Sequence, residues 1–206
     1  MAAAAAVAVH ATAADLPAVL DVVDAAFAED PCQQWLFGPA ADPDAGRRAL
    51  FELLVEEFFW LGHVHVVATG GRLAGAAFWG PPDRDAFQGS RVDDLFTALA
   101  PHLGDELAPR LAEFGRAHGH RPAEPHLYLG VLGVHPDHQS KGLGAALLAP
   151  VLAECDRMGL LAHLESSNER NVAFYGRHGF EVVDRYRCGD DGPPMTIMTR
   201  RPRAGD

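Results

Sequence analysis

The sequence predicts an α/β (α+β) fold: a mixed, twisted central sheet of six to seven strands flanked by helices. Three observations predict it. The second half alternates strand, helix, strand, helix, strand, strand, as layered α/β folds do. The run His126-Leu-Tyr-Leu-Gly-Val-Leu-Gly-Val134 is almost unbroken in apolar character between Pro125 and Pro136, as expected of a central strand. Residues 63–68 and 72–79 are two apolar runs joined through Thr69-Gly-Gly71, the pattern of a β-hairpin. With 206 residues, 48% hydrophobic and 22% charged, the chain reads as a single domain over 1–206 with ample core.

Val7-Ala-Val-His-Ala11 is a short strand candidate. Thr12 and Asp15 form a capping-box-like pair before Leu16, Val19, Leu20, Val23 and Phe27, whose spacing is helical; Asp30-Pro31 is expected to end that helix. A second helix is expected over 42–59, entered through Asp42-Pro-Asp44. Residues 84–120 carry helical patterns near 92–99 and 106–118, separated by Pro101 and Gly104, and read as an inserted helical block over a site. Beyond the central strand, a helix is expected over 142–158, a strand over 160–164, a helix over 168–177, and strands over 179–184 and 195–199.

Composition excludes several function classes. The formal net charge of −11 argues against nucleic-acid binding, which needs clustered Lys and Arg. Cys32, Cys155 and Cys188 are odd in number and form no CxxC pair, so a disulfide scaffold is disfavoured and a reducing cytoplasm fits. The N-terminal alanine run lacks the basic start and length of a signal peptide. Residues 49–60 are interrupted by Glu52, Glu56 and Glu57, which makes them an amphipathic helix and not a membrane span.

The chemistry concentrates in residues 126–180. Gln139-Ser-Lys-Gly-Leu-Gly144 follows a strand and opens a helix, where unpaired amides and the helix dipole favour an anion and glycine lets it approach. Lys141, the only lysine in the chain, and the Ser140 hydroxyl are possible further donors. The loop is not a Walker A motif, and Gly142-x-Gly144 lacks the third glycine of a dinucleotide fingerprint. Glu165 stands near the position of a dinucleotide-binding acid, so that reading stays open at this point.

Two motifs together carry a resemblance. Leu132-Gly-Val-His-Pro136 followed by Gln-x-x-Gly-x-Gly at 139–144, and Asn168 followed by Phe174-Tyr175-x-x-x-Gly179-Phe180, resemble the signatures of the GNAT superfamily of N-acetyltransferases. The likeness is close over 126–184 and holds in element order alone before that. His120 to His126, Pro136 to Gly144, the helical block and Arg170-Asn171 before Phe174-Tyr175 further resemble the puromycin N-acetyltransferase branch. The resemblance implies acetyl-CoA as co-substrate and direct transfer to a primary amine; a small molecule is the preferred acceptor because the helical block at 84–120 would cover the acceptor cleft. It implies pantetheine contacts at Leu132, Gly133 and Val134, and a pyrophosphate loop at Gln139, Ser140, Lys141, Gly142, Leu143 and Gly144. Asn171 would be a CoA contact, Asn168 chiefly a helix cap, and Tyr175 both a cleft residue and the general acid for the leaving thiolate. A monomer or homodimer is expected. Two rivals remain: a non-catalytic acyl-CoA sensor of the same fold, and a nucleotide-binding α/β protein.

The general base is less well marked. Glu165 is the first choice; His63 and His65, which share a strand face by period two, and Glu56 and Glu57 are weaker candidates. The histidine pairs 118/120, 63/65 and 135/138 lack a third convergent ligand, and no metal site is expected.

Overall fold

A computed structural model describes residues 6–84, 86–87, 90–117 and 120–203. Seven strands among them form one sheet in the order β1-β2-β3-β4-β5-β7-β6. They are β1 (Val9–His10), β2 (Val64–Thr69), β3 (Arg72–Gly80), β4 (His126–Val134), β5 (Leu161–Ser166), β6 (Glu181–Arg187) and β7 (Pro194–Arg200). All neighbours run antiparallel except β4 and β5, which α6 (Leu143–Met158) connects in parallel.

One sheet face carries α6, whose Leu147, Leu148 and Val151 share a core with Trp79, Leu127 and Leu164. The other face carries α1 (Leu16–Ala26) and α3 (Pro43–Trp60), where Val19, Val23, Phe51 and Phe58 meet Phe78 and Val131. The inserted block folds as α4 (Ser90–Leu103) and α5 (Leu107–Ala117), packed on α2 (Pro31–Phe37) and α3 through Leu36, Phe37, Leu50, Leu99 and Leu107. α4 runs through Pro101 and stops at Gly104, whose φ of +50° is left-handed. No helix among the described residues is long and apolar enough to cross a membrane.

One expectation is corrected at the first helix. α1 ends at Ala26, and Asp30-Pro31 starts a helix instead of ending one. The Asp30 carboxylate accepts from the Cys32 and Gln33 amides at 2.9 and 3.1 Å, and Pro31 occupies the first helical position, where its missing N–H is harmless.

The feature that positions the site is a bulge in β4. Phe78 pairs with Val131 and Trp79 with Leu129, which leaves Gly130 as the extra residue. A Cβ at Gly130 would lie 2.7 Å from Phe58 Cζ, so a larger side chain has no room there. At the same level the β4–β5 ladder stops: its last pair is Leu129 with Leu164, and the two strands part beyond it.

At the β1 edge, His10 packs against His65 with ring centroids 4.2 Å apart and the rings tilted by 42°. Burial, with smaller contributions from His10 and His63, pushes the His65 pKa down to about 4. The unfolded chain therefore binds more protons than the native one between that value and the ordinary 6.5. Stability is complete above the unfolded value and falls as pH drops toward 4, by up to about 3 kcal/mol. Urea midpoints across this window should decline in the wild type and decline less steeply in His65→Gln.

Candidate functional site

Where β4 and β5 part, a cleft of about 730 Å³ opens between the end of α1, the C-terminal half of β4, the loop into α6, and α7 (Arg170–Arg177). The backbone of β4 supplies its first polar groups. The His135 amide donates to Ala74 O in the ladder with β3. Antiparallel alternation then turns Gly133 toward β3 and leaves the amides and carbonyls of Leu132 and Val134 on the open side. The Gln139 side-chain amide donates to Val134 O at 3.2 Å, tying the loop to the strand end.

The loop geometry follows from its residues. Ser140 and Gly142 both have positive φ, +60° and +80°, and together turn the chain into α6. No heavy atom lies within 4 Å of a Cβ built at Gly142, so conformation and not crowding selects glycine there. The first amide of α6 with an intrahelical acceptor is Ala146, bonded to Gly142 O at 3.1 Å. The amides of Leu143, Gly144 and Ala145 precede it and form the positive end of a 16-residue helix. Gly144 has a different reason: its Cβ would lie 3.2 Å from Phe174 Cζ, where α7 approaches α6.

Every residue expected to contact the co-substrate lines this cleft except Lys141. The Lys141 ammonium donates to the Asp137 carbonyl at 2.7 Å and is exposed, away from the cleft wall. His138 lines the cleft, whereas His135 accepts from the Asp137 amide and does not. Arg170 and Arg177 bring positive charge to the same wall from α7.

Tyr175 projects from α7 into the cleft and is 7% exposed. Its ring packs edge-on against Phe174 and Phe180. Its hydroxyl has no hydrogen-bond partner among the described residues. Burial first, and the Asp30 charge second, push its pKa above the ordinary phenol value, so it stays protonated. Asn168 behaves as a cap: its Oδ1 accepts from the Arg170 amide at 3.1 Å and its carbonyl from Asn171. The far end of α7 is held by Arg200, which donates to His178 O and binds Asp156 bidentately at 2.8 Å.

The expected base is elsewhere. Glu165 is not on the cleft wall; its side chain is 7% exposed and lies beneath Tyr128, whose hydroxyl donates to Glu165 Oε2 at 2.7 Å. His163 Nε2 stands 3.5 Å from Glu165 Oε1. Burial alone would raise the Glu165 pKa, but His163 and Tyr128 outweigh it and hold the pKa below the ordinary value. His63 and His65 lie at the β1 edge, outside the cleft. Glu57 binds Arg91 at 2.8 Å and the Phe87 amide at 3.0 Å, fixing the chain ahead of α4, and Glu56 is exposed. His120 pairs with Asp184 at 2.7 Å, while His118 lies outside the described residues.

Sequence reasoning missed Asp30, which lines the cleft with Tyr175. The signal was present in Asp30-Pro31, a pair that starts a helix as readily as it stops one.

A model of the Acetyltransferase (GNAT) family matches residues 29–180, which includes the cleft's three polar walls. The chain belongs to the GNAT acetyltransferase family. Its members use acetyl-CoA as co-substrate. The mycothiol acetyltransferase of Propionibacterium freudenreichii subsp. shermanii is 45% identical over 56 residues, 26% of this chain and 18% of the relative. The L-amino acid N-acyltransferase MnaT of Escherichia coli is 40% identical over 53 residues, 24% of this chain and 31% of the relative. The chain thus matches less than half the length of these curated relatives. A crystal structure from Corynebacterium glutamicum, described as histone acetyltransferase HPA2 and related acetyltransferase, superposes with a TM-score of 0.75 at 28% identity. That match covers 97% of this chain and 98% of the other. The mixed seven-stranded sheet flanked by helices is the architecture this chain shares with that structure.

Proposed function

We propose that this GNAT protein is an acetyl-CoA-dependent N-acetyltransferase that moves the acetyl group directly to a primary amine of a small molecule. The observation that carries the reading is the parting of β4 and β5 after Leu129 and Leu164, which brings strand amides, helix amides and the Tyr175 hydroxyl to one cleft. This donor set fits the co-substrate: Leu132 and Val134 suit an amide-bearing arm, and the Leu143–Ala145 amides suit a diphosphate. Acetyl-CoA, when bound, supplies an activated acyl carbon and a thiol leaving group. A strand amide donating to the acyl oxygen would stabilise the charge that develops there. Tyr175 would hold a proton for the sulfur.

Direct transfer is favoured because no thiol lines the cleft. Cys32, Cys155 and Cys188 are free and buried, and burial pushes Cys155 up to about 11. Free thiols also fit the proposed cytoplasmic location. A small acceptor is inferred from the inserted block, whose α5 is anchored to α2 through Arg110 and Trp35 O and accepts from the Gly189 amide through Glu113 at 2.7 Å. Within the family we propose the puromycin N-acetyltransferase branch, on residues 120–126 and 136–144, the helical block and Arg170-Asn171.

The test is thiol release from acetyl-CoA with a panel comprising agmatine, phenethylamine, L-phenylalanine and a lysine-containing peptide. Turnover with a small amine above the peptide is expected. Tight CoA binding without turnover on any of them would mark a sensor instead. In the same assay Lys141→Ala should change the acetyl-CoA KM by less than about threefold, because an exposed charge contributes little.

A further inference from the structure

At neutral pH the acceptor arrives as an ammonium, and its nitrogen can attack only after a proton has left. Glu165 lies off the cleft wall with Tyr128 and His163 against its carboxylate. A different, half-buried carboxylate does face the cleft. Asp30 closes the connection from α1 to α2, and its two oxygens have separate duties. Oδ1 caps α2, and Oδ2 accepts from Ser167 Oγ at 2.6 Å, in the loop between β5 and α7. That bond joins two walls of the cleft across 137 residues of sequence. The Asp30 charge reaches Tyr175, raising its pKa, so acid and carboxylate share one space.

We propose that Asp30 takes the proton from the acceptor ammonium in the cleft where Tyr175 gives one to the sulfur. The inference rests on the reading of the cleft as an acetyl-transfer site. The proton balance closes. Asp30 accepts the first proton from the ammonium, the nitrogen lone pair forms the C–N bond, and the C–S bond breaks with its electrons going to sulfur. Tyr175 protonates that sulfur, and the second nitrogen proton restores the phenol. Asp30 then releases its proton to solvent, one per turnover.

The surroundings suit a base. Burial raises the Asp30 pKa, while the bonds from Ser167, Gln33 and Cys32 restrain the rise. Glu29 and Cys32 flank Asp30 on its own segment; Arg170, Tyr175, Arg177 and His178 face the same cleft from α7, and His138 from the loop before α6. None of them forms an ion pair with Asp30 among the described residues.

The experiment measures kcat/KM against pH by thiol release, using whichever panel amine turns over fastest, with CoA affinity by calorimetry as a second readout. Asp30→Asn should keep the helix cap, because asparagine caps as well as aspartate, and should keep CoA affinity. It should lower kcat/KM by about 10²-fold or more and erase the acidic limb. Asp30→Glu should restore part of the rate. Ser167→Ala removes a bond to the charged form, so its acidic limb should move to higher pH. An unchanged limb in Asp30→Asn with turnover intact would overturn the role of Asp30 alone, as would a rate loss matched by an equal loss of CoA affinity. Absence of wild-type turnover with every amine would overturn the reading of the cleft and this inference together.

Discussion

Tyr175→Phe is expected to lower kcat by about 10²-fold or more while changing the KM for acetyl-CoA by much less. The substitution isolates one hydroxyl. The ring remains packed on Phe174 and Phe180, and the hydroxyl has no partner among the described residues whose loss could unfold the helix. Thermal stability should therefore stay close to wild type, and a rate loss reports chemistry. The loss falls on kcat because a proton on sulfur matters only as the C–S bond breaks. Binding the thioester needs the strand and loop amides, which the substitution leaves alone.

The raised phenol pKa sharpens this expectation. Burial and the Asp30 charge keep Tyr175 protonated across the neutral range, so it can donate but not accept. A phenol above its ordinary value gives its proton to a thiolate unwillingly, unless the nitrogen returns one in the same event. Transfer to sulfur and loss of the second nitrogen proton are then coupled. A solvent isotope effect on kcat should accompany the wild-type reaction and shrink in Tyr175→Phe. An unchanged kcat under conditions where chemistry limits turnover would remove Tyr175 from the mechanism.

Much of this was legible because the chemistry is local. The apolar strand over 126–134, the glycine loop and the Phe174-Tyr175 helix are contiguous motifs, and their boundaries fall where periodicity and glycine place them. What escaped depends on residues distant in sequence. The period-two pattern puts His163 and Glu165 on one face of β5, but only Tyr128, 37 residues earlier, decides that Glu165 is covered. Asp30 reads as a stop because nothing nearby shows that its other oxygen will find Ser167. Lys141 invites assignment to the anion site on charge alone, whereas its long stem reaches back to a carbonyl four residues earlier. The bulge at Gly130 is unreadable in one strand, since it exists only against the register of β3.

Gly142→Asp should weaken CoA binding by more than about 100-fold, with little loss of folded stability. Two effects act at this position and can be separated. One is conformational: the φ of +80° costs a side-chain-bearing residue about 1–2 kcal/mol, although aspartate tolerates it better than most. Steric crowding adds nothing to it, because a Cβ here meets nothing within 4 Å. The other effect is electrostatic, and it dominates. Gly142 caps α6, so a carboxylate at that point can turn onto the open amides of Leu143, Gly144 and Ala145. The same contact that steadies the helix would fill the anion site from within, and a diphosphate would have to displace a tethered negative charge. Gly142→Ala supplies the control, since it carries the conformational cost and no charge. Calorimetry with CoA should show a modest loss in Gly142→Ala, a severe loss in Gly142→Asp, and partial recovery for dephosphorylated pantetheine thioesters, which never needed the site. Equal losses in the two variants would mean that the loop acts through its shape, and that the helix amides are not where the phosphates bind.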